Sequence, residues 1–193
     1  MKKENSIIIS FVLLVIIASL YRVLPGRPLG FAPQIAMALF AGSIVKDKKF
    51  AFLLPLLSML ISDIIYEVLF QFKVSDVPGF YSGQLLNYAL FAVLTVVGFA
   101  VKKSNPLQIL ASSVAGALIY FILSNFFVWI GGGLDIMNMP YPKTISGLIT
   151  CYTAAIPFLR GSLYATLVFS GILFGGLAFI NKYFVHKPLV AQL

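Results

Sequence analysis

Asp63 and Glu67 stand four residues apart inside a long apolar run, residues 50–72, which reads FAFLLPLLSMLISDIIYEVLFQF. That spacing puts both carboxylates on one face of a helix. An ionised carboxylate turned towards lipid is costly, so the shared face must meet other helices or a wet cavity. Such a pair can bind a solute, carry a proton, or lock helices together by pairing with Arg22, Arg27 or Arg160, the three arginines of the chain. Catalysis finds little support, because the chain has no GxSxG, HExxH, CxxC or P-loop motif. Cys151 is the single cysteine and His186 the single histidine, and neither has a second metal ligand near it in sequence. The expectation is a protein that is not an enzyme and uses no cofactor or metal.

The elements that position these residues follow from composition. The chain has 193 residues, 60% hydrophobic and 10% charged, with a mean hydropathy of +0.99. A soluble domain needs far more polar surface, so this reads as an integral membrane protein. The apolar runs are continuous rather than alternating, which favours helices over barrel strands. The net charge of +8 sits mostly in short loops, where it marks the cytoplasmic side and meets anionic lipid, and no stretch resembles a nucleic-acid-binding module.

The expected fold is an all-α membrane bundle of about six transmembrane helices, at residues 7–24, 30–45, 50–72, 84–101, 107–130 and 161–184, forming one domain. The basic start and apolar first run also fit a signal peptide, but the run is long and Ala18-Ser19-Leu20 is a poor cleavage site. The second run is short, and Ala38 and Gly42 suit close helix packing. Pro55 marks a kink in the third. Ser104-Asn105-Pro106 is a turn and helix start. Residues 131–160 form an outer loop in which 144–158 is too short to span and reads as an interfacial helix. Gly171 and Gly175 give the last span a small-residue packing face.

With six spans both termini share a side. Lys2, Lys3, Lys46, Lys48, Lys49, Lys102, Lys103, Lys182 and Lys187 lie there, against Arg22, Arg27, Lys73, Lys143 and Arg160 opposite. That bias predicts cytoplasmic termini in a bacterial inner membrane. Asp63 then lies roughly 20 Å from the cytoplasmic edge, with Glu67 a turn higher. Asn87, Tyr88, Tyr120 and Asn125 fall in the outer half as well, and Arg160 caps the last span. The asymmetry points to an outward polar pocket roofed by the PGRPLGFAP loop and residues 131–160. Its candidate binding residues are Asp63, Glu67, Asn87, Tyr88, Asn125, Arg160 and Arg27. Asn87 and Asn125 also suit interhelical hydrogen bonding, and Tyr81, Tyr141, Tyr152 and Trp129 an interfacial aromatic belt.

The stretch from Gly30 to Phe70 resembles the second and third spans of the substrate-binding S-components of energy-coupling-factor (ECF) vitamin transporters. The match rests on Pro33, Ala38, Ala41, Gly42, Pro55, Ser58, Ser62 and Asp63. With Tyr141 to Thr144 (YPKT) and Tyr152 to Phe158 (YTAAIPF), the whole chain is still more similar to an uncharacterised bacterial membrane-protein family. The resemblance implies an S-component-like bundle that captures a vitamin-like molecule from outside and relies on an ATP-driven partner module. The chain departs from the pattern in the first span, where only Ala18 stands for the AxxxA docking motif, and at Lys48 and Lys49, where glycine is frequent. Small-solute uptake is therefore the leading expectation. The alternative is a non-catalytic structural subunit of an envelope membrane complex.

Overall fold

The structure, a computed structural model, describes residues 2–183, with side chains from residue 10 onward. His186, Lys187, residue 184 and the side chains of Lys2 and Lys3 lie outside that description. The elements are α1 (Lys2–Val23), α2 (Gln34–Ile44), α3 (Lys48–Ala51), α4 (Leu53–Gln71), α5 (Gln84–Gly98), α6 (Pro106–Ile130), α7 (Ile145–Ala154) and α8 (Ile156–Tyr183). Among the described residues there is no strand, only one isolated antiparallel bridge between Leu134 and Pro140. Three stretches are long and apolar enough to cross a bilayer: Lys48–Gln71, Pro106–Ile130 and Ile156–Tyr183. The molecule has the helical composition of a membrane protein.

The helix centred on Asp63 is not the middle of the bundle. That place belongs to α2, of whose eleven residues ten are buried. Its Ile35, Ala38 and Leu39 pack with Met59, Phe91 and Leu94. Met37 and Ala41 turn to Val15, Ala18 and Leu54, and Phe40 and Ile44 to Val101 and Phe174. Small residues let the neighbours close in. A Cβ on Gly42 would lie 2.2 Å from the Thr95 carbonyl oxygen, and one on Gly98 would lie 2.6 Å from that of Leu39. The expected close packing at Ala38 and Gly42 is therefore real, and α5 is the partner.

Proline chemistry sets two boundaries. The helix before Asp63 breaks at Phe52 rather than at Pro55. Proline lacks an N–H, and its ring crowds the carbonyl four residues earlier, so the disturbance falls on the preceding turn. At the other boundary, α7 stops at Ala154 and α8 begins at Ile156, five residues before the expected start at 161. Pro157 sits in the first turn of α8, where a missing N–H costs nothing. Arg160 thus lies inside α8 and does not cap it. The short helix expected in residues 144–158 is present as α7, with Thr144 Oγ1 accepting from the Gly147 N–H at 3.2 Å. The small-residue face of the last helix is not used among the described residues, since a Cβ on Gly171 or Gly175 would meet nothing within 4 Å.

Successive long helices run antiparallel. Residues 24–33, 72–83 and 131–155 gather at one end, the long-loop end. The turns at 45–47 and 99–105 gather at the other, the short-turn end, where Ser43 Oγ donates to the Val101 carbonyl at 2.7 Å.

Candidate functional site

Two polar regions occupy the long-loop end. The first surrounds Asp63, which is 2% exposed. Arg22 sits in the last turn of α1, where a cation complements the helix dipole. Its Nη1 forms an ion pair with Asp63 Oδ1 and donates to Ser62 Oγ at 2.5 Å. Asp63 Oδ2 accepts from Gln84 Nε2 and from the Tyr88 hydroxyl, each at 2.7 Å. Gln84 Nε2 also donates to the Gly79 carbonyl at 3.1 Å. The Tyr66 hydroxyl donates to the Arg22 carbonyl at 2.7 Å, and the guanidinium lies 5.7 Å from the Tyr66 ring centroid. Lower on the same seam, Ser19 Oγ donates to the Ser58 carbonyl at 2.9 Å. Both carboxylate oxygens are thus occupied by protein donors, and three helices are tied together through them.

Glu67 stands one turn above Asp63 and does different work. Its Oε2 accepts from the backbone N–H of Gly79 at 3.2 Å and of Phe80 at 3.4 Å, and its Oε1 from Gln71 Nε2 at 2.7 Å. It pins residues 72–83 onto α4. The contact is tight enough to require glycine, because a Cβ on Gly79 would lie 1.9 Å from the Asp63 carbonyl oxygen. Asn87 bridges helices: its Oδ1 accepts from the Tyr120 hydroxyl at 2.8 Å, and its amide donates to Tyr81 Oη. Tyr88 belongs to the Asp63 cluster.

The second region is a cleft of about 440 Å³ between α6, α7, α8 and the strap at residues 131–144. Tyr120, Asn125, Asp135, Tyr141, Cys151 and Ser162 supply its polar lining, and Phe121, Val128, Leu134 and Phe158 much of its apolar lining. The strap is a small hairpin. Asp135 Oδ1 accepts from the N–H of Met137 at 2.8 Å and of Met139 at 3.0 Å, and Asn138 takes a φ of 58° at its tip. Trp129 holds the strap's far leg, its Nε1 donating to the Pro142 carbonyl at 2.8 Å, while Lys143 donates to the Trp129 carbonyl. From α7, the Tyr152 hydroxyl donates to the Ile122 carbonyl at 2.8 Å, and the Cys151 thiol lies 3.6 Å from the Asn125 carbonyl oxygen. Cys151 is a buried free thiol used in packing.

Unlike the Asp63 cluster, the cleft keeps hydrogen-bonding capacity in hand. Asn125 uses its amide Nδ2 on the Phe121 carbonyl at 2.8 Å, and its Oδ1 has no partner among the described residues. The Tyr141 hydroxyl likewise has none, although the residue is 7% exposed. Burial, with Cys151 and Asp135 nearby, raises the Tyr141 pKa, so its phenol stays a neutral donor. Among the described residues, Asp135 is the only charged one lining the cleft.

Of the seven residues expected at the site, only Asn125 lines the cleft. Arg160 is exposed on α8 and has no hydrogen bond or ion pair among the described residues. Arg27 Nη1 donates to the Phe31 carbonyl at 2.8 Å. Its buried Nε, together with Gln34 Nε2 and Oε1, lacks a partner among the described residues, so the orphaned polar atoms gather on the approach to α2. Asp135, Tyr141 and Ser162 were not expected at the site. Asp135 falls in the expected outer loop, Tyr141 in the expected aromatic belt, and Ser162 in the last expected span.

The sequence profile of DUF6580, a family of unknown function, matches residues 2–189, and the chain belongs to that family. No curated protein and no solved structure matches it. The residues that carry the S-component resemblance lie in the core of the fold. Pro33, Ala38, Ala41, Gly42, Pro55, Ser58, Ser62 and Asp63 are all buried.

Proposed function

We propose that this protein is a six-span membrane receptor that captures a small solute in the cleft between α6, α7 and α8, for uptake across a bacterial inner membrane. The observation that carries this reading is the cleft itself. Its volume of about 440 Å³ falls within the roughly 300–1,000 Å³ typical of small-ligand sites. Its wall is apolar with a few polar atoms left unpaired, the composition expected of a binding pocket. Asn125 Oδ1 and Asp135 are acceptors, and no cation among the described residues lines the cleft. A solute with an apolar body and an amine, amide or hydroxyl donor fits that wall better than an anion does.

In this reading the basic short-turn end faces the cytoplasm, as the bias of lysines favours. The strap and α7 then cover the cleft from outside. Asp63, Tyr88 and Glu67 hold the rest of the bundle together, Asn87 steadies the α6 wall through Tyr120, and Asn125, with Tyr141 and Asp135, meets the solute. The resemblance to S-components supports an ATP-driven partner module as the source of energy, and the bundle itself contributes no chemical step.

Native mass spectrometry of the chain, extracted gently from its own membranes, tests the proposal. We expect a stoichiometric small molecule on the protein that is lost in Asn125→Leu and Tyr141→Phe. A chain that never carries a small molecule, and travels instead in a fixed complex with other membrane proteins, would overturn it in favour of a structural subunit.

A further inference from the structure

A second concavity lies at the short-turn end, between the start of α6 and the last turns of α8. It measures about 410 Å³ and runs from Lys103 and Ser104, past Ile109, along Gly171, Phe174 and Gly175. Its floor is closed by Ser113 and Ser170, whose hydroxyls bond at 2.8 Å. Its wall stays open because a Cβ on Gly171 or Gly175 of α8 would meet no neighbour within 4 Å. Both α6 and α8 are long and apolar enough to cross a membrane, so acyl chains are the solvent along this wall.

The mouth of the groove is cationic. Lys46, Lys48, Lys49, Lys102, Lys103 and Lys182 lie at this end, and Asp47 is the one acidic residue among the described side chains there. The Asp47 side chain is used to accept from the Lys49 backbone N–H at 3.0 Å. Lys48 is spent on the α2 terminus, donating to the Gly42 carbonyl at 2.9 Å. Lys103 lines the groove and has no ion pair among the described residues. Desolvation and the charge of Lys46 hold its pKa below the usual lysine value.

We propose that this groove is a binding site for an anionic phospholipid, whose phosphate meets Lys103 and one of whose acyl chains lies along Gly171 and Gly175. One lipid molecule supplies both things the groove lacks. An acyl chain fills the apolar wall, and a phosphodiester compensates Lys103, which has no ion pair among the described residues. A second protein helix could fill the wall, but it would leave Lys103 uncompensated unless it brought an acid of its own. The site is independent of the solute cleft, on the opposite end of the bundle, and rests only on the bundle's lying in a bilayer.

The test is native mass spectrometry of the full chain in detergent, titrated with equimolar palmitoyl-oleoyl phosphatidylglycerol and phosphatidylcholine. The wild type is expected to retain one phosphatidylglycerol in preference to phosphatidylcholine. Lys103→Gln should reduce that preference about fivefold, the factor that corresponds to one basic residue near an anionic headgroup. Gly175→Leu fills the wall and should lower retention of both lipids, with an unchanged melting temperature because its side chain meets open space. Equal retention of the two lipids by the wild type would overturn the proposal, as would variants that hold phosphatidylglycerol as well as the wild type does. A lipid-free dimer that Gly175→Leu dissociates would overturn it too, and would assign the groove to a second copy of the chain.

Discussion

Around Asp63 both carboxylate oxygens have protein donors, while around Asn125 an amide oxygen, a phenol and part of a carboxylate are left open. Both regions lie at the same end of the bundle and both are rich in polar side chains. The first is closed by three helices that meet at one carboxylate. The second is bounded by a hairpin and a short helix that leave a hollow. A buried charge needs all its bonds to be tolerated, so it attracts partners and becomes structural. Binding capacity survives where neutral groups and a part-exposed carboxylate, cheaper to leave half-paired, line a space no side chain fills.

Breaking the closed region should have the largest effect. Asp63→Ala leaves Arg22 with Ser62 but without its counter-charge and should cost about 3 kcal/mol, the lower end for a broken buried pair because Arg22 is 18% exposed. Unfolding in mixed detergent micelles measures it. The double variant Arg22→Met, Asp63→Leu should recover most of that loss, and a double variant as unstable as Asp63→Ala would show that the pair is not what the position supplies. Next in size, Gly42→Val drives a side chain into the Thr95 carbonyl and should cost about 2 kcal/mol by overpacking, whereas Gly171→Val on the open face of α8 should leave the same unfolding midpoint unmoved. Gln34→Met sharpens the comparison from the other side. Removing a buried amide with no partner should stabilise the empty protein by about 1 kcal/mol, and destabilisation would mean that Gln34 is bonded after all. The smallest stability effect belongs to the cleft. Asn125→Leu should stay within about 0.5 kcal/mol of wild type, as substitutions away from structural contacts do, while abolishing retention of the bound solute.

Much of the helix layout was legible in the residues. Asn105 followed by Pro106 gives the start of α6, with Asn105 Oδ1 accepting from the Gln108 N–H at 3.1 Å. The short apolar length of residues 144–158 gives a non-spanning helix. Arg22 was one of three arginines that could answer Asp63. Which helix lies in the middle was not legible, and the reason is physical. Lipid is as apolar as a protein core, so an outward-facing residue such as Ile17, 62% exposed, and a core residue such as Leu39, 0% exposed, come from the same set. Hydrophobic patterning therefore marks helices without saying which face is buried. Arg160 was misplaced because residues 144–158 read as one interfacial helix, whereas Pro157 lies in the first turn of α8. Glu67 shares a helix face with Asp63, yet its partners are backbone N–H groups, which sequence patterns do not reveal.

The brevity of α2 has a consequence for how the molecule is made. Its eleven residues rise roughly 16 Å, about half the hydrocarbon thickness. A segment of that length has little tendency to partition into a bilayer by itself, so the helix at the centre is the one least able to get there unaided. Its walls, the longer helices synthesised before and after it, must carry it in. For a bundle that lies in a bilayer, assembly would therefore run from the outside to the middle, and the last piece to settle would be the one against which α1, α4, α5, α6 and α8 pack.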